Sequence, residues 1–545
     1  MGYSFNQERR FYAVATAIVM FAFLLRLFRL GENELWLDEA ASFYDITVPG
    51  WAAKLRGKNT PPLYYLLLHA WTIMAGRSET ALRMLSVCFG TLFIIALIWA
   101  GRELFSPRAG LWSGAFAAVS PFHIYYSQEA RAYTLLILAL LLAYGTLWRA
   151  LKTNHWLWWG LFSMFALLSV YTHYFALLGL IPSTFLLLLL PEKEHIKKMA
   201  VPYIVAASLT VVLFLPWFLW TFVFMPHSSA GIEWIGYFWK GTPPALAIPR
   251  SLELFAFGGQ AGFVSVLTPR FGTLAFPASL RLLGLGILGL LGICVGIPWG
   301  DKELGIASLG RLKAWLWALL FFPLAALWSV SLLYKPVYVV GRYDIVAFPA
   351  YSLLLGLSFE KLQSLRKVGK LLSFLLACLL LVPIVGKLHL YYASSSEPLA
   401  RRTAAVIDDL VRDGDVVVFT GLRGLPALYY LSRLGYQWRE GYCVNKSTNR
   451  RFSCRMFPRE TEQTPAISDL RRVLGSIEEV RNDLQDFVRG MPSRENSLWL
   501  VFQSESYSGG PLKVGRPDAL LTQEIKRLGL KPVRVQTRLG LVQFR

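Results

Sequence analysis

Two adjacent acidic residues, Asp38 and Glu39, follow a long apolar segment near the start of the chain. The segment, residues 11–30, reads FYAVATAIVMFAFLLRLFRL and is long enough to cross a bilayer. A single acid beside a membrane is most often a polar flank that keeps the helix from sliding into lipid. An adjacent pair among aromatic and small residues tends to raise the pKa of at least one carboxyl group, which suits a general base. The pair is therefore predicted to be catalytic.

A second polar group lies in the segment YYSQEARAYTL, residues 125–135. One interpretation is non-functional: the tyrosines would belong to the aromatic belt of a membrane interface, and the acid and the arginine would form an incidental ion pair. The remaining polar residues fit the belt poorly, and helical spacing would place Glu129, Ala132 and Tyr133 on one face. The segment thus offers four candidate substrate-binding residues, Gln128, Glu129, Arg131 and Tyr133.

Two further segments carry candidate substrate-binding residues. In YKPVYVVGRYDIVAFPAY, Arg342 and Tyr343 open an apolar run, and the planar fork of an arginine matches the geometry of a phosphate. The alternative for Arg342 is an interfacial side chain that snorkels toward water. His173 lies between two tyrosines in a turn between apolar runs, where it is either structural or a polar contact at the site. His69 has no metal-ligand partner at helical spacing and is predicted to be structural.

The composition shows what must hold these residues in place. The 545 residues are 55% hydrophobic and only 16% charged, with a mean hydropathy of +0.45. Soluble chains are usually about a quarter charged. The net charge of +21 comes from lysines and arginines in short loops between apolar runs, as the positive-inside rule predicts, so we expect no nucleic-acid partner. The chain is predicted to be an α-helical polytopic membrane protein.

About eleven membrane spans are predicted, and the first is interpreted as an uncleaved signal anchor. With the N-terminus in the cytoplasm, every short inside loop is basic, and the odd number of spans places the C-terminal region outside. The outer loops are then 31–81, 121–132, 223–280 and 335–342. Together with the outer turn at His173 and the outer ends of the spans that begin at Tyr133 and Tyr343, they place the candidate residues on one membrane face. The spans are predicted near 11–30, 82–101, 108–122, 133–150, 156–172, 174–190, 200–222, 281–298, 314–334, 343–358 and 371–390.

The composition changes after residue 390, which divides the chain into a transmembrane domain, 1–390, and a small extracytoplasmic α/β domain, 391–545. The segment AAVIDDLVRDGDVVVFTG predicts a helix, a turn and a buried strand, and similar alternation follows it. Cys443 and Cys454 lie in this domain, and a disulfide between them is plausible in an oxidising compartment. Three other cysteines lie in apolar spans and are interpreted as packing residues: Cys88, Cys294 and Cys378.

The order of the motifs resembles one family. LWLDEAASF, PPLYYLLLHAW, ALRMLS, SPFHIYYSQEARAYTLL, YTHYFALL and GRYDIVAFPAY follow one another as in bacterial membrane glycosyltransferases of the C superfamily, also called the GT-C type. The similarity covers roughly residues 10–390 and is to the branch related to protein O-mannosyltransferases and the lipid A aminoarabinose transferase. SQEARAY and LDEA are its most specific parts.

The resemblance implies a polyprenyl-phosphate-linked sugar donor and transfer at the outer face of the cytoplasmic membrane. The catalytic acid of the family falls on Asp38, with Glu39 beside it. The second outer-loop motif falls on Gln128, Glu129, Arg131 and Tyr133, and the late Arg-Tyr pair falls on Arg342 and Tyr343. Many relatives have His-Pro-Pro where this chain has Thr60-Pro61-Pro62. Some relatives bind a divalent metal and others need none, so a metal is possible and no ligand is assigned.

The reaction implied is direct attack by an acceptor hydroxyl, with inversion at the anomeric carbon and Asp38 as general base. The acceptor is left open among a glycan, a lipid and a protein of the cell envelope. The main alternative is a transporter or flippase of lipid-linked glycans. Transporters often show internal repeats and ionisable groups at the bilayer midplane, whereas here the ionisable residues gather at one face. A membrane anchor for a binding domain would leave the acid pair unexplained.

Overall fold

A computed structural model describes most of the chain. The described residues are 5–48, 50–56, 60–188, 193–224, 235, 239, 243–258, 292, 303–304, 307–364, 366–393, 398–420, 424–439, 441–445, 447–457, 477–489, 491–493, 495–501, 525–536 and 541–545.

Helices dominate the described residues up to position 393. They are α1 (Phe5–Leu27), α2 (Leu37–Thr47), α3 (Trp51–Arg56), α4 (Leu63–Ala75), α5 (Glu79–Leu104), α6 (Pro107–Val119), α7 (Pro121–Ser127), α8 (Tyr133–Thr153), α9 (Trp156–Thr172), α10 (Ala176–Ser183), α11 (Phe185–Leu188), α12 (Lys193–Leu219), α13 (Pro244–Phe257), α14 (Leu309–Leu333), α15 (Phe348–Gln363) and α16 (Arg366–Ala393). A π-helical turn, Trp220–Phe224, follows α12, and a 3-10 turn, Tyr343–Ala347, leads into α15. Strands β1 (Glu303–Leu304) and β2 (Ala307–Ser308) pair before α14.

Seven helical segments in the described part of the chain are long and apolar enough to cross a membrane. Helices occupy each predicted span that the structure describes, which confirms the polytopic helical fold. The predicted span at 281–298, with Cys294, and most of the outer loop at 223–280 lie outside the described residues. The number of about eleven crossings stays a prediction. The seven segments are Asn6–Leu27, Glu79–Leu104, Tyr133–Thr153, Glu194–Phe224, Leu309–Leu333, Tyr343–Gln363 and Lys367–Ala393.

The predicted span at 108–122 is divided between two helices. α6 ends at Val119 after 13 residues, and α7 begins at Pro121. Proline has no backbone N–H with which to continue a helix but fits the first helical position well. The hydroxyl of Ser120 accepts from the backbone N–H of His123 at 3.4 Å and so starts the second helix.

The two ends of the helical domain differ in chemistry. α5 has 26 residues, which at about 1.5 Å per residue places its ends roughly 39 Å apart. At its last turn, Arg102 pairs with Glu8 of α1 at 3.4 Å, and Glu103 pairs with Arg149 of α8 at 2.5 Å. At its first turns, Arg83 reaches the loop that carries the acid pair. The N-terminal segment and two of the predicted inside loops therefore share the end opposite the acid pair.

The described residues after 398 form an α/β domain. Its sheet has the strand order β4-β5-β6-β3-β7-β9-β8, with a parallel centre in which β3 pairs with β6 and β7. Cys443 and Cys454 form the predicted disulfide, with Cα atoms 5.8 Å apart. The elements are α17 (Leu399–Leu410), β3 (Val416–Thr420), α18 (Gly424–Arg433), β4 (Tyr436–Arg439), β5 (Tyr442–Asn445), β6 (Arg451–Phe457), α19 (Ile477–Arg489), β7 (Leu498–Val501), β8 (Pro532–Gln536) and β9 (Leu541–Phe544).

The first outer loop and the C-terminal domain share one hydrophobic core. α2 packs on α18, with the rings of Phe43 and Tyr429 edge to face at 5.0 Å between centroids. The backbone N–H of Leu35 donates to the hydroxyl of Tyr430 at 3.1 Å. The carboxylate of Glu34 accepts from two backbone N–H groups in the first turn of α17, a position that the helix dipole favours for an anion. The C-terminal domain therefore supports the helix that begins with the acid pair.

Candidate active site

The two acids of the first outer loop lie in the first turn of α2. The backbone N–H of Trp36 is 3.4 Å from Oε2 of Glu39, and acids in this turn are stabilised by the helix dipole. Successive residues of an α-helix project about 100° apart, because 3.6 residues complete one turn. Asp38 and Glu39 therefore leave the helix in different directions and meet different partners.

Glu39 is buried in a bidentate ion pair with Arg83 of α5. Nε and Nη2 of Arg83 donate to its two carboxylate oxygens at 2.8 and 2.7 Å. Glu39 also accepts from the backbone N–H of Ala130 at 2.9 Å, and so ties the first outer loop to the second. The remaining donors of Arg83 bond to three main-chain carbonyls at 2.9 Å, those of Leu30, Asn33 and Glu34.

Asp38 faces two guanidinium groups. Its Oδ2 accepts a hydrogen bond from Nη2 of Arg342, and Nη2 of Arg131 lies 3.7 Å from the same oxygen. Arg131 Nη1 also donates to the hydroxyl of Ser42, one turn further along α2, at 3.2 Å. The side chain of Asp38 is 14% exposed, against 1% for Glu39, so this carboxylate retains access from outside.

Arg342 is held by the turn that precedes α15. Gly341 has a φ of +80°, which favours glycine, and its N–H donates to Oδ2 of Asp344 at 2.8 Å while its carbonyl accepts from Tyr126. Nε of Arg342 donates to the hydroxyl of Tyr133 at 2.5 Å. The guanidinium is therefore aimed at Asp38 by contacts from α7, α8 and the 3-10 turn.

Residues 128–132 connect α7 and α8 as a turn. The prediction that Glu129, Ala132 and Tyr133 share a helical face is wrong, because α8 begins only at Tyr133. The backbone in this turn bonds elsewhere: the N–H of Ala130 donates to Glu39, and that of Arg131 donates to the carbonyl of Glu129 at 2.8 Å.

The side-chain amide of Gln128 forms its hydrogen bonds within the protein interior. Nε2 donates to the carbonyls of Arg26 and Phe28 at 2.8 and 2.9 Å, and Oε1 accepts from the hydroxyl of Tyr391 at 2.6 Å. These contacts join the end of α1, the second outer loop and α16. The geometry is that of a residue that positions the turn carrying Glu129 and Arg131.

Two buried titratable groups flank the cluster. Burial, followed by the negative charge of Glu39, raises the pKa of Glu129 to about 8, and its Oε1 has no hydrogen-bond partner among the described residues. Burial, followed by the positive charges of Arg342 and Arg131, lowers the pKa of His173 to about 3. Nδ1 of His173 accepts from the backbone N–H of Phe175 at 3.2 Å, so its proton is on Nε2. His173 is thus a neutral donor, 5.6 Å from the ring of Tyr343 between centroids.

His69 of the first predicted outer loop has structural contacts, in agreement with its prediction. Nδ1 of His69 donates to the carbonyl of Ile46 at 2.9 Å, and its ring stacks on Trp51 at 4.0 Å. Among the described residues, no three His, Cys, Asp or Glu side chains gather to hold a metal ion.

The sequence-based candidates divide into two groups. Asp38, Arg131, Tyr133, Arg342 and Tyr343 meet in one cluster with Glu129 and His173 beside it, whereas Glu39 and Gln128 bond within the protein framework. Sequence reasoning missed the parts played by Arg83 and Asp344. Arg83 carried a signal, because an arginine in the otherwise apolar ALRMLS calls for a buried partner.

Comparisons with known proteins give a family similarity over part of the chain and a fold over nearly all of it. Residues 59–220 match the family model of dolichyl-phosphate-mannose-protein mannosyltransferases. No curated protein matches the chain by sequence.

Two solved proteins share the fold. ArnT from Cupriavidus metallidurans aligns over 99% of this chain and 97% of its own, with a TM-score of 0.57 and 12% identity. An oligosaccharyltransferase, AglB from Archaeoglobus fulgidus, aligns over 91% of this chain and 70% of its own, with a TM-score of 0.51 and 12% identity. The matched family segment runs from α4 to the turn after α12 and includes Arg83, Arg131 and His173. Part of the chain is therefore similar to the dolichyl-phosphate-mannose-protein mannosyltransferases, and nearly all of it shares its fold with ArnT, in line with the resemblance of its motifs.

Proposed function

We propose that this enzyme transfers a sugar from a polyprenyl-phosphate donor to an acceptor hydroxyl at the outer face of the cytoplasmic membrane. The observation that carries the proposal is the convergence of Arg342 and Arg131 on the single carboxylate of Asp38. Among the structural neighbours, ArnT was crystallised with undecaprenyl phosphate and AglB was solved with a dolichol-phosphate. A lipid phosphate is the ligand that two adjacent guanidinium groups at a membrane face would bind.

The phosphate of the donor is assigned to Arg342 and Arg131. A guanidinium presents a planar set of donors that matches two phosphate oxygens, and it remains charged at any physiological pH. The protonated Nε2 of His173 adds a neutral donor beside them. These groups would stabilise the negative charge that builds up on the phosphate as the sugar leaves.

Asp38 is assigned as the general base. The acceptor oxygen attacks the anomeric carbon, the bond from that carbon to the phosphate oxygen breaks, and the acceptor proton passes to Asp38. The lipid phosphate leaves with the bonding electrons, and attack from the opposite side inverts the anomeric centre. No acid is needed to expel the phosphate, because it is already a good leaving group.

The arginines make donor binding a condition for base catalysis. A carboxylate that accepts from a guanidinium is a poor base, because the positive charge favours its ionised form and occupies its lone pairs. A donor phosphate that draws Arg342 and Arg131 away would free Asp38 to take the acceptor proton. We therefore propose that the donor binds first and that Asp38 becomes a competent base only in the donor complex.

The framework residues act through this cluster. Glu39 positions the start of α2 by its ion pair with Arg83. It also holds the turn at Ala130, whose backbone N–H donates to its carboxylate. Gln128 fixes the same turn from the side of α1. Glu129, two residues before Arg131, is assigned to the acceptor side of the cluster, and Tyr343 supports Arg342 with its ring face 5.7 Å away.

The experiment compares cell-envelope glycans, lipids and glycoproteins by mass spectrometry in a strain that lacks the gene. Complementation with the wild-type gene should restore a sugar modification that Asp38→Asn at equal membrane abundance does not restore. The acceptor class is read directly from the molecule that changes. Restoration by Asp38→Asn would remove the proposed base, and an unchanged envelope in the deletion strain would contradict the proposed reaction.

The orientation is tested separately with reporter fusions. Lys197 and Lys367 should report the cytoplasm, and Asp413 in the C-terminal domain should report the outside. Because Asp413 belongs to the domain that packs on α2, a cytoplasmic signal there would place the active site on the inner face and contradict outer-face transfer.

A further inference from the structure

A cleft of about 540 Å³ lies between α2 and the C-terminal domain. Its walls come from α2, from α18 and from β4, with the side chain of Arg77 at the end of the first outer loop. This volume is within the range of small-molecule sites, which run from about 300 to 1,000 Å³. None of the candidate site residues predicted from the sequence lines it.

The cleft lies on the side of α2 opposite Asp38. Ala40, Phe43, Tyr44 and Thr47 line the cleft, and at about 100° per residue they centre roughly 180° around the helix from Asp38. One helix diameter, on the order of 10 Å, therefore separates the wall of the cleft from the proposed base. A ligand in the cleft cannot contact the arginine cluster through α2, so the two are distinct sites.

The lining combines aromatic faces with hydrogen-bonding groups. Tyr44 of α2 and Trp438 of β4 contact each other at 5.3 Å between ring centroids, with their planes tilted by 55°, and both line the cleft. Ser432 and Gln437 add a hydroxyl and an amide from the C-terminal domain. Flat apolar faces beside neutral donors and acceptors suit a sugar, which has one face of C–H groups and a rim of hydroxyls.

The charge of the cleft is positive. Arg77 and Arg433 both line it, and no aspartate or glutamate is among the described residues of its wall. The backbone of Arg77 is anchored there, because its carbonyl accepts from the hydroxyl of Tyr429 at 3.0 Å. Two arginines in a wall whose described residues include no acid favour a carboxylate or phosphate on the ligand.

We propose that this cleft binds an acidic oligosaccharide, and that this oligosaccharide is a part of the acceptor remote from the hydroxyl that receives the sugar. The assignment of the oligosaccharide to the acceptor rests on the proposed function, whereas its binding in the cleft does not. Binding on α2 would connect recognition of the acceptor with the helix whose first turn carries Asp38. The carbohydrate supplies the stacking contacts, and its carboxylate or phosphate supplies the charge.

The test is isothermal titration calorimetry with the full-length protein in detergent. The probe is trigalacturonic acid, with neutral maltotriose and inorganic phosphate as separate arms. We expect the acidic trisaccharide to bind and the other two to bind at least tenfold more weakly. Loss of a charge-assisted hydrogen bond in Arg433→Gln should weaken binding by about tenfold. Arg412→Gln removes the same charge from the same domain outside the cleft and should bind as the wild type does.

Three results would overturn the site. These are no binding of the trisaccharide, equal binding of maltotriose, and wild-type affinity in both Arg433→Gln and Trp438→Ala with normal thermal unfolding. Loss of binding in Asp38→Asn would instead place the trisaccharide at the arginine cluster and also reject the cleft. If the trisaccharide binds as expected but no sugar transfer is found in the envelope, the cleft stands and the proposed reaction falls.

Discussion

Two carboxylates in consecutive positions each meet an arginine, yet the two contacts differ in almost every physical respect. Glu39 and Arg83 are buried at 1% and 3% exposure, and every donor of Arg83 has an acceptor. Asp38 is 14% exposed and meets two guanidinium groups at one oxygen. Nε of Arg131, buried beside it, has no hydrogen-bond partner among the described residues.

The difference separates an ion pair that stabilises the fold from a cluster that is able to bind a substrate. A buried pair with all its hydrogen bonds satisfied is strongly destabilised when one partner is removed, and no donor remains to bind a substrate. A cluster with more positive than negative charge and with access from outside is able to exchange its carboxylate for a substrate anion. Substitutions of Asp38 and Glu39, although neighbours in one helical turn, are therefore expected to give different phenotypes.

The largest effect is expected for Asp38→Asn in sugar transfer. The substitution keeps the shape and removes the proton acceptor, and a positioned base contributes about 10²- to 10⁴-fold to the rate. Donor binding should be retained or strengthened, because Arg342 and Arg131 no longer pair with a carboxylate. Transfer from a polyprenyl-phosphate sugar and donor affinity are measured on the same purified protein. Near-normal transfer would return Asp38 to the role of a polar helix flank.

Glu39→Gln should act mainly on stability. Removal of one partner from a buried ion pair costs about 3–5 kcal/mol, so thermal unfolding in detergent should shift strongly. Glu194→Gln is the matched control, since Glu194 and Lys197 form a pair that is 82% and 73% exposed, for which the expected change is below about 1 kcal/mol. An unshifted unfolding temperature for Glu39→Gln, with transfer lost, would make Glu39 the catalytic acid instead.

Arg342→Ala should weaken use of the donor more than Arg342→Lys does. Lysine keeps the charge but loses the planar fork, and hydrogen bonds to a charged group contribute about 1.5–3 kcal/mol. The alanine variant should therefore lose roughly 10- to 100-fold in affinity for the donor. Equal transfer by wild type, Lys and Ala variants would remove Arg342 from the site.

Glu129→Gln is expected to have the smallest effect, which is a change in how the stability of the protein depends on pH. Its pKa rises from the ordinary 4.5 to about 8 because the side chain is buried. The folded protein then holds a proton that the unfolded chain releases, so the folded state loses stability as the pH rises from 4.5 to about 8. Glu129→Gln has no such proton, and its unfolding temperature should gain on the wild type between pH 5 and pH 8. Parallel unfolding temperatures across that range would show that Glu129 is ionised.

The sequence predicted the helical framework and the cluster well, for identifiable reasons. Long apolar runs leave few alternatives to membrane helices. Arginines and acids at the ends of such runs are costly unless paired, which is why Asp38, Arg131 and Arg342 were found together from widely separated segments. In the C-terminal domain, α17, β3 and the turn at Gly414 between them followed from alternation and turn residues, whereas β4, β5, β6 and β9 were not predicted.

The errors have a common cause. The helical face at Glu129 and the continuous span at 108–122 were both predicted from spacing alone. Pro121 and the cap at Ser120 divide the span, whereas a long-range bond decides the segment at Glu129. The N–H of Ala130 bonds to Glu39, 91 residues away, and so leaves the helical pattern. Periodicity also shows the direction of a side chain on its own helix and not its partner on the next one, so it did not predict the bonds of Glu39 to Arg83 or of Gln128 to α1.

The hydrogen bond between Leu35 and Tyr430 spans 395 residues of chain, and this fixes the order of events during biosynthesis. α2 emerges with the first loop, but the surface on which Phe43 rests belongs to α18. At about 5–20 residues per second, a ribosome needs roughly 20–80 s to make the intervening chain. The proposed base therefore reaches its final position only late in synthesis, after the membrane helices have inserted. Nascent chains stalled before Gly424 should remain open to protease at α2, and chains released after Tyr436 should not.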